Sequence, residues 1–244
     1  MGLVSGSSGR AIHGVFNTAS LNLGEVLVAR FTFNTPATVS EYRGGGLRIA
    51  LLNSSGVDMA QDFSYSGANP NANLDPPLGY WMDFSVSSSD SGWNEESTPS
   101  IAFRESLVPR TSGRLLGTTA GGWEALESGG DPYLMLPSST YTGQFSIERT
   151  GVDAVTLSGS LELDGAVLSS FSTSDTGSGI VSSFDVIAFA ALSNTFGSSN
   201  SVGDPDNGIQ FTNINISVIP EPSTYALLFG AFGLAWVLIR RRRR

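Results

Sequence analysis

The chain has no cysteine and no lysine, and a single histidine, His13. Without cysteine there are no disulfides, no thiolate zinc or iron–sulfur sites and no cysteine nucleophile. One histidine is too few for a multi-histidine metal centre. Charge is also sparse, at 14% of residues, and one-sided: 13 basic residues, all arginine, face 22 acids. Five of those arginines are the last five residues. Without them and Glu221 the body holds 8 positive and 21 negative charges. That balance excludes a nucleic-acid partner, which requires a basic face. Residues 1–20 contain no continuous apolar run of secretory type and only one basic residue, Arg10, so they read as a poorly structured N-terminus. No stretch of the body has a sustained helical period, and no repeat of 20–50 residues is evident.

What is present is glycine (29 residues), serine, threonine and short β-like runs separated by turn clusters. The 244 residues suit one domain with a real core, placed at 21–217. Strands are predicted at Glu25–Phe33, Gly46–Leu52, Gly79–Val86, Gly143–Glu148, Ala154–Leu163, Ala166–Phe171, Phe184–Ala191 and Ile209–Ser217, with two weaker ones at Ser100–Arg104 and Tyr133–Leu136. Ten such runs indicate an all-β sandwich or barrel. Asp164-Gly165 between Leu161-Glu162-Leu163 and Ala166-Val167-Leu168 predicts a two-residue type I′ hairpin, since both residues tolerate positive φ. Asp62–Pro77 and Ser87–Ser100 are long Ser-, Gly-, Asn- and Pro-rich connections of the kind often used for function.

Residues 218–244 differ in kind. Pro220-Glu221-Pro222 is followed by fifteen uncharged, mostly apolar residues, Tyr225–Ile239, and then by Arg240, Arg241, Arg242, Arg243 and Arg244. A helix over 225–239 would span roughly 22 Å, short of a ~30 Å hydrocarbon core. Arginine snorkelling or local thinning makes up the difference. The arginines orient the C-terminus toward the cytoplasm and the body away from it. The two prolines bar regular pairing and leave an extended, accessible segment at the membrane boundary.

These three parts, in this order, resemble the PEP-CTERM sorting signal of exosortase-processed bacterial surface proteins. The resemblance covers about a tenth of the chain. It implies export, transient anchoring in the inner membrane, cleavage near Pro220-Glu221-Pro222 by a membrane-embedded protease of exosortase type, and a final place at the outer surface or in the extracellular matrix, beside exopolysaccharide or biofilm. Export by this route needs a signal peptide, so an N-terminal extension of about 20–30 residues upstream of Met1 is the expectation.

The closing segments Ser183–Phe189 and Asp206–Ser217 resemble the last strands of concanavalin A-like jelly rolls. The fold expected is therefore a jelly-roll β-sandwich with a single C-terminal transmembrane helix. In the last segment Ile209, Phe211 and Ile216 can face a core, with Asn213 and Asn215 turned away.

No enzyme is expected. Glu162-Leu163-Asp164 is reminiscent of a laminarinase-type Glu-x-Asp-x-x-Glu signature, but the second catalytic acid is missing and a two-carboxylate mechanism lacks its partner. Glu95-Glu96 and the pair Glu124/Glu127 lie in loop-like sequence. Ser5-Gly6-Ser7-Ser8-Gly9 lacks the preceding strand of a nucleophile elbow, which leaves His13 without a hydrolase role. Sugar binding is the alternative function: Tyr80, Trp81, Trp93, Trp123 and Tyr133 lie in or beside the long connections, where aromatic faces can stack on sugar rings. Core packing is the competing explanation, above all for Trp81. Asp204, Asp206 and Asn207 are a candidate Ca²⁺ site and equally a plain turn before a strand. No other cofactor is implied.

Overall fold

The computed structural model describes residues 2–3, 10–39, 46–56, 78–85, 101–106, 116, 124–177, 179–191, 196 and 208–221. The predicted connections Asp62–Pro77 and Ser87–Ser100, Glu95-Glu96, the apolar segment Tyr225–Ile239 and the terminal arginines lie outside the described residues. So do Ser5–Gly9, Trp93, Trp123, Asp204, Asp206 and Asn207.

Among the described residues, twelve strands form two six-stranded antiparallel sheets. In chain order they are β1 (Gly2–Leu3), β2 (Arg10–Ser20), β3 (Val26–Asn34), β4 (Gly46–Asn53), β5 (Leu78–Ser85), β6 (Ile101–Ser106), β7 (Glu124–Gly129), β8 (Thr140–Gly151), β9 (Ala154–Leu163), β10 (Ala166–Thr176), β11 (Ser183–Ala191) and β12 (Ile209–Ile219). The first sheet runs β1-β12-β3-β8-β9-β10 and the second β2-β11-β4-β5-β6-β7. The architecture is the expected all-β jelly-roll sandwich. Among the described residues no helix is long and apolar enough to cross a membrane.

The two sheets meet through an aromatic core. Leu27, Ala29, Phe31 and Phe33 alternate inward along β3, and Val155, Leu157 and Leu161 do so along β9. Opposite them stand Leu47, Ile49 and Leu51 of β4 and Tyr80, Met82 and Phe84 of β5. Phe31 is the hub, its ring centre 5.3 Å from that of Phe189 and 6.3 Å from those of Phe84 and Phe211. Such tilted and edge-on pairs are favourable beyond the area they bury.

Three expectations need correction. Residues 10–20 are not loosely structured: they form β2, paired with β11 from Ser183↔Ser20 to Ala191↔Arg10. Their apolar pattern is thin because β2 is an edge strand, and only Ile12, Phe16 and Ala19 pack partly on the core. Glu124 and Glu127 belong to strand β7, the opposite edge of the same sheet, and not to a loop. Tyr133–Leu136 is not a strand. Its side chains do alternate, with Tyr133 and Met135 buried and Leu134 and Leu136 exposed, but it pairs with no strand among the described residues. Leu136 instead donates its N–H to the Tyr141 hydroxyl at 2.6 Å.

The hairpin is as expected: Asp164 and Gly165 have φ of 50° and 80°, and Leu163 pairs with Ala166. On β12, a register shift between Phe211 and Asn213 explains how both Phe211 and Ile216 face the core despite opposite parity.

Candidate functional site

Three surfaces bear on function: the point where the chain leaves the sandwich, and the outer face of each sheet.

β12 stays paired with β3 as far as Ile219↔Val26, and Pro220 then ends the ladder because it has no N–H to give. Pro220 is half-buried and Glu221 exposed. The Glu221 side chain lies over Gly24, in the turn between β2 and β3, where a Cβ would come within 2.6 Å of its Cγ. Gly24 has φ +78°, the left-handed region that favours glycine, whereas the exposed Glu221 side chain could turn aside from a Cβ. The Gly24 N–H bonds to Arg149 O at 2.7 Å, while Arg149 donates its own N–H to Glu25 O at 3.1 Å. The Arg149 Nη1 adds a bond to Leu21 O at 2.9 Å. The described part of the Pro-Glu-Pro element, Pro220 and Glu221, is thus seated at one end of the first sheet, against a braced turn. Pro222 lies outside the described residues.

The outer face of the first sheet is a field of small hydroxyls. Ser158 and Ser172 face each other at 2.9 Å, and Thr156 and Ser174 at 3.2 Å. A shallow depression of about 390 Å³ crosses β8, β9 and β10 here, lined by Gln144, Ser158, Ser160, Ser170 and Ser172 among others. Glu162 borders this face and is held by Arg30 at 3.1 Å. It is tied to a cation across the sheet, while Asp164 sits in the hairpin turn. His13 stands on β2 opposite Ala188.

The second sheet's outer face is covered. Ala50, Leu52, Trp81, Val186, Ala188 and Ala190 form a second apolar cluster with Leu116. Arg48 is fully buried among them, its Nε 3.0 Å from Asp83 Oδ2, its Nη1 donating to Leu116 O at 2.6 Å, and its guanidinium 4.5 Å from the Trp81 ring centre. This cluster was invisible to sequence reading, in which Arg48 was one residue of a predicted strand. The only available signal was a lone arginine in an otherwise apolar Leu-Arg-Ile-Ala-Leu-Leu run.

Burial corrects the predicted sugar-binding set. Tyr80 and Trp81 have no exposed surface and Tyr133 is 7% exposed, so none offers a face for stacking. Trp81 packs with the second cluster, whereas Tyr80 and Tyr133 belong to the main core. Tyr80 donates to Asp175 Oδ2 at 2.9 Å across the sandwich. Burial, reinforced by Asp175, holds its hydroxyl far above the usual tyrosine range. Burial also raises Tyr133, with Asp83 adding to it, and Tyr141. No group of three metal-ligating side chains occurs among the described residues. A polar depression of about 300 Å³ lies between Asn34–Ala37, Ser138–Thr140, Gly208 and Gln210.

No family model and no curated protein matches the chain. Among solved structures it is similar to the metal-free carbohydrate recognition domain of Emp46p, with 12% identity over 88% of this chain and 80% of that one and a TM-score of 0.45. It is similar also to the metal-free lectin I-B4 from Griffonia simplicifolia, with 10% identity over 90% and 87% and a TM-score of 0.47. A third is the Bauhinia forficata lectin in complex with GalNAc, with 14% identity over 88% and 82% and a TM-score of 0.44.

Proposed function

We propose that this is an exported, non-catalytic surface protein whose sandwich is held at the inner membrane by residues 225–239 and released or transferred after cleavage near Pro220-Glu221-Pro222 by an exosortase-type protease. The observation that carries this reading is that, among the described residues, the core already closes with β12 before the tail begins. The described core closes with β12, whose last pair is Ile219↔Val26. The chain then emerges through a proline, with Glu221 exposed, at one end of the first sheet. An apolar run of fifteen residues and five arginines beyond that point has the pattern of an address and a membrane stop. An acidic body keeps such a protein soluble outside the cell and sets it among anionic polymers only where cations bridge them.

The test is cell fractionation with intact-mass measurement of the mature protein. Wild type should lose residues C-terminal to the Pro-Glu-Pro element, whereas replacement of Pro220, Glu221 and Pro222 by alanine should leave full-length protein in the membrane fraction. Normal release of that variant overturns the sorting assignment.

Glycan contact is the second reading, and the hydroxyl-lined depression on the first sheet favours it. Neutral Ser and Gln side chains at strand spacing can exchange hydrogen bonds with sugar hydroxyls. Polysaccharide retention that survives Gln144→Ala with Ser172→Val, yet is lost on Trp93→Ala with Trp123→Ala, would return the site to the loop tryptophans.

A further inference from the structure

We infer that the end of the sandwich from which the chain exits is a lipid-contacting rim, on which Leu23, Val152 and Ile219 rest against the bilayer surface; this rests on the anchoring role proposed for residues 225–239. Most exposed aliphatic residues of a soluble domain are scattered singly and need no explanation. Here three converge. Leu23 is 60% exposed, Val152 81% and Ile219 49%, with Val218 beside them at 39%. They sit on three neighbouring connections: Ile219 ends β12, Leu23 precedes β3, and Val152 is in the turn between β8 and β9. β12, β3 and β8 are consecutive in the first sheet, and Val26 pairs with both Ile219 and Glu148. At the usual strand spacing the row spans roughly 10–15 Å.

The tether decides what meets this row. Only Pro222, Ser223 and Thr224 separate Glu221 from the apolar run that begins at Tyr225. Four residue steps of extended chain reach at most ~14 Å. With residues 225–239 in the hydrocarbon, Glu221 and the turn it leans on are confined to the headgroup region. Three aliphatic side chains are too few to hold a protein on a membrane alone, but a short tether raises their effective concentration there so far that a weak contact persists. Among the described residues, Glu25, Glu148, Asp153 and Glu221 adjoin the row in sequence or register, with Arg149 the cation beside them, so the rim suits lipids without net negative charge. The contact also turns the long axis of the strands toward the membrane and leaves the hydroxyl face of the first sheet standing clear of it.

Because the chain has no cysteine, single-cysteine variants of the full-length protein can each carry one environment-sensitive fluorophore. Leu23→Cys and Val152→Cys report the rim, Val167→Cys the opposite end of the sheet, and Leu234→Cys the apolar run. The proteins are reconstituted into phosphatidylcholine vesicles with brominated acyl chains. The rim labels should lose about half their emission, as expected for side chains placed 5–10 Å into the interface, with the label at 234 quenched further and that at 167 unaffected. Quenching at 234 with none at 23 and 152 overturns the rim and leaves the anchor standing. No quenching at 234 overturns the anchor and the rim together. If the label at 23 is shielded without lipid while 234 is unquenched, the apolar run folds back onto this end, and the rim proposal fails.

Discussion

The Arg48 guanidinium lies 4.5 Å from the centre of the Trp81 ring, on the outer face of the second sheet, and neither side chain has exposed surface. Cation–π contact, the 3.0 Å ion pair to Asp83 and the 2.6 Å bond to Leu116 O together hold a charge that burial would otherwise expel. Arg48→Ala leaves Asp83 without its cation and removes the bond that ties Leu116 to the sheet. Urea unfolding should show a loss of about 3–5 kcal/mol. Arg48→Lys should recover only part of it, because a point-charge ammonium cannot serve Asp83 and Leu116 in the same fork geometry.

Glycines at the sheet interface offer a paired comparison. A Cβ at Gly143 would run into the Phe31 ring, and one at Gly159 into the Met82 sulfur. Phe31 is fixed by Phe33, Phe84, Phe189 and Phe211 and has nowhere to go. The Met82 thioether can swing aside. Gly143→Ala should therefore cost about 1–3 kcal/mol, and Gly159→Ala distinctly less. Equal losses in denaturant melts would mean that Phe31 is not the rigid member of the core.

A hydrogen bond between the sheets gives a third prediction. Thr173 of β10 is 7% exposed and donates to Glu127 Oε2 of β7 at 2.7 Å. A bond to a carboxylate contributes about 1.5–3 kcal/mol, so Thr173→Val should lower stability by roughly that amount. Because Glu127 is exposed and can turn to water, Glu127→Gln should cost less than Thr173→Val in the same melts.

Local chemistry was legible in the sequence where it alone dictates the backbone. Asp164-Gly165 must turn because both residues accept positive φ, and β9, which depends on simple alternation, has the bounds expected of it. Legibility failed where burial depends on what lies across the sandwich. β2 is an edge strand that presents only part of one face to the core, so its pattern is faint. Tyr133 and Met135 alternate as a strand would, yet no described strand pairs with that segment. Core packing could be read in sequence for Trp81 from the alternation of Trp81-Met82-Asp83-Phe84, but the place of Tyr80 against the opposite sheet and the apolar cluster around Trp81 could not. The Pro-Glu-Pro element was readable as chemistry, but its seat against Gly24 was not, since 197 positions separate Gly24 from Glu221.

The buried tyrosines predict how the fold fails in alkali. Tyr80 is held protonated by burial first, then by Asp175 and Glu105, and Tyr133 by burial and then Asp83. In the unfolded chain both titrate at about pH 10. The sign follows from proton counting. Below that pH both states keep the phenolic protons, so these groups add no pH dependence. Above it the unfolded state gives them up while the folded state retains them, and stability falls as pH rises toward the raised folded values. Each tyrosine should contribute a slope of about 1.4 kcal/mol per pH unit in that window. Urea midpoints taken from pH 8 upward should thus be level with respect to these groups to about pH 10 and then drop. Phenolate absorbance from these two residues should appear together with the loss of near-UV dichroism and not before it. Tyr80→Phe removes one ionisable group along with its bond to Asp175, so the variant should start less stable and decline less steeply. An undiminished alkaline slope in Tyr80→Phe would place the responsible proton elsewhere.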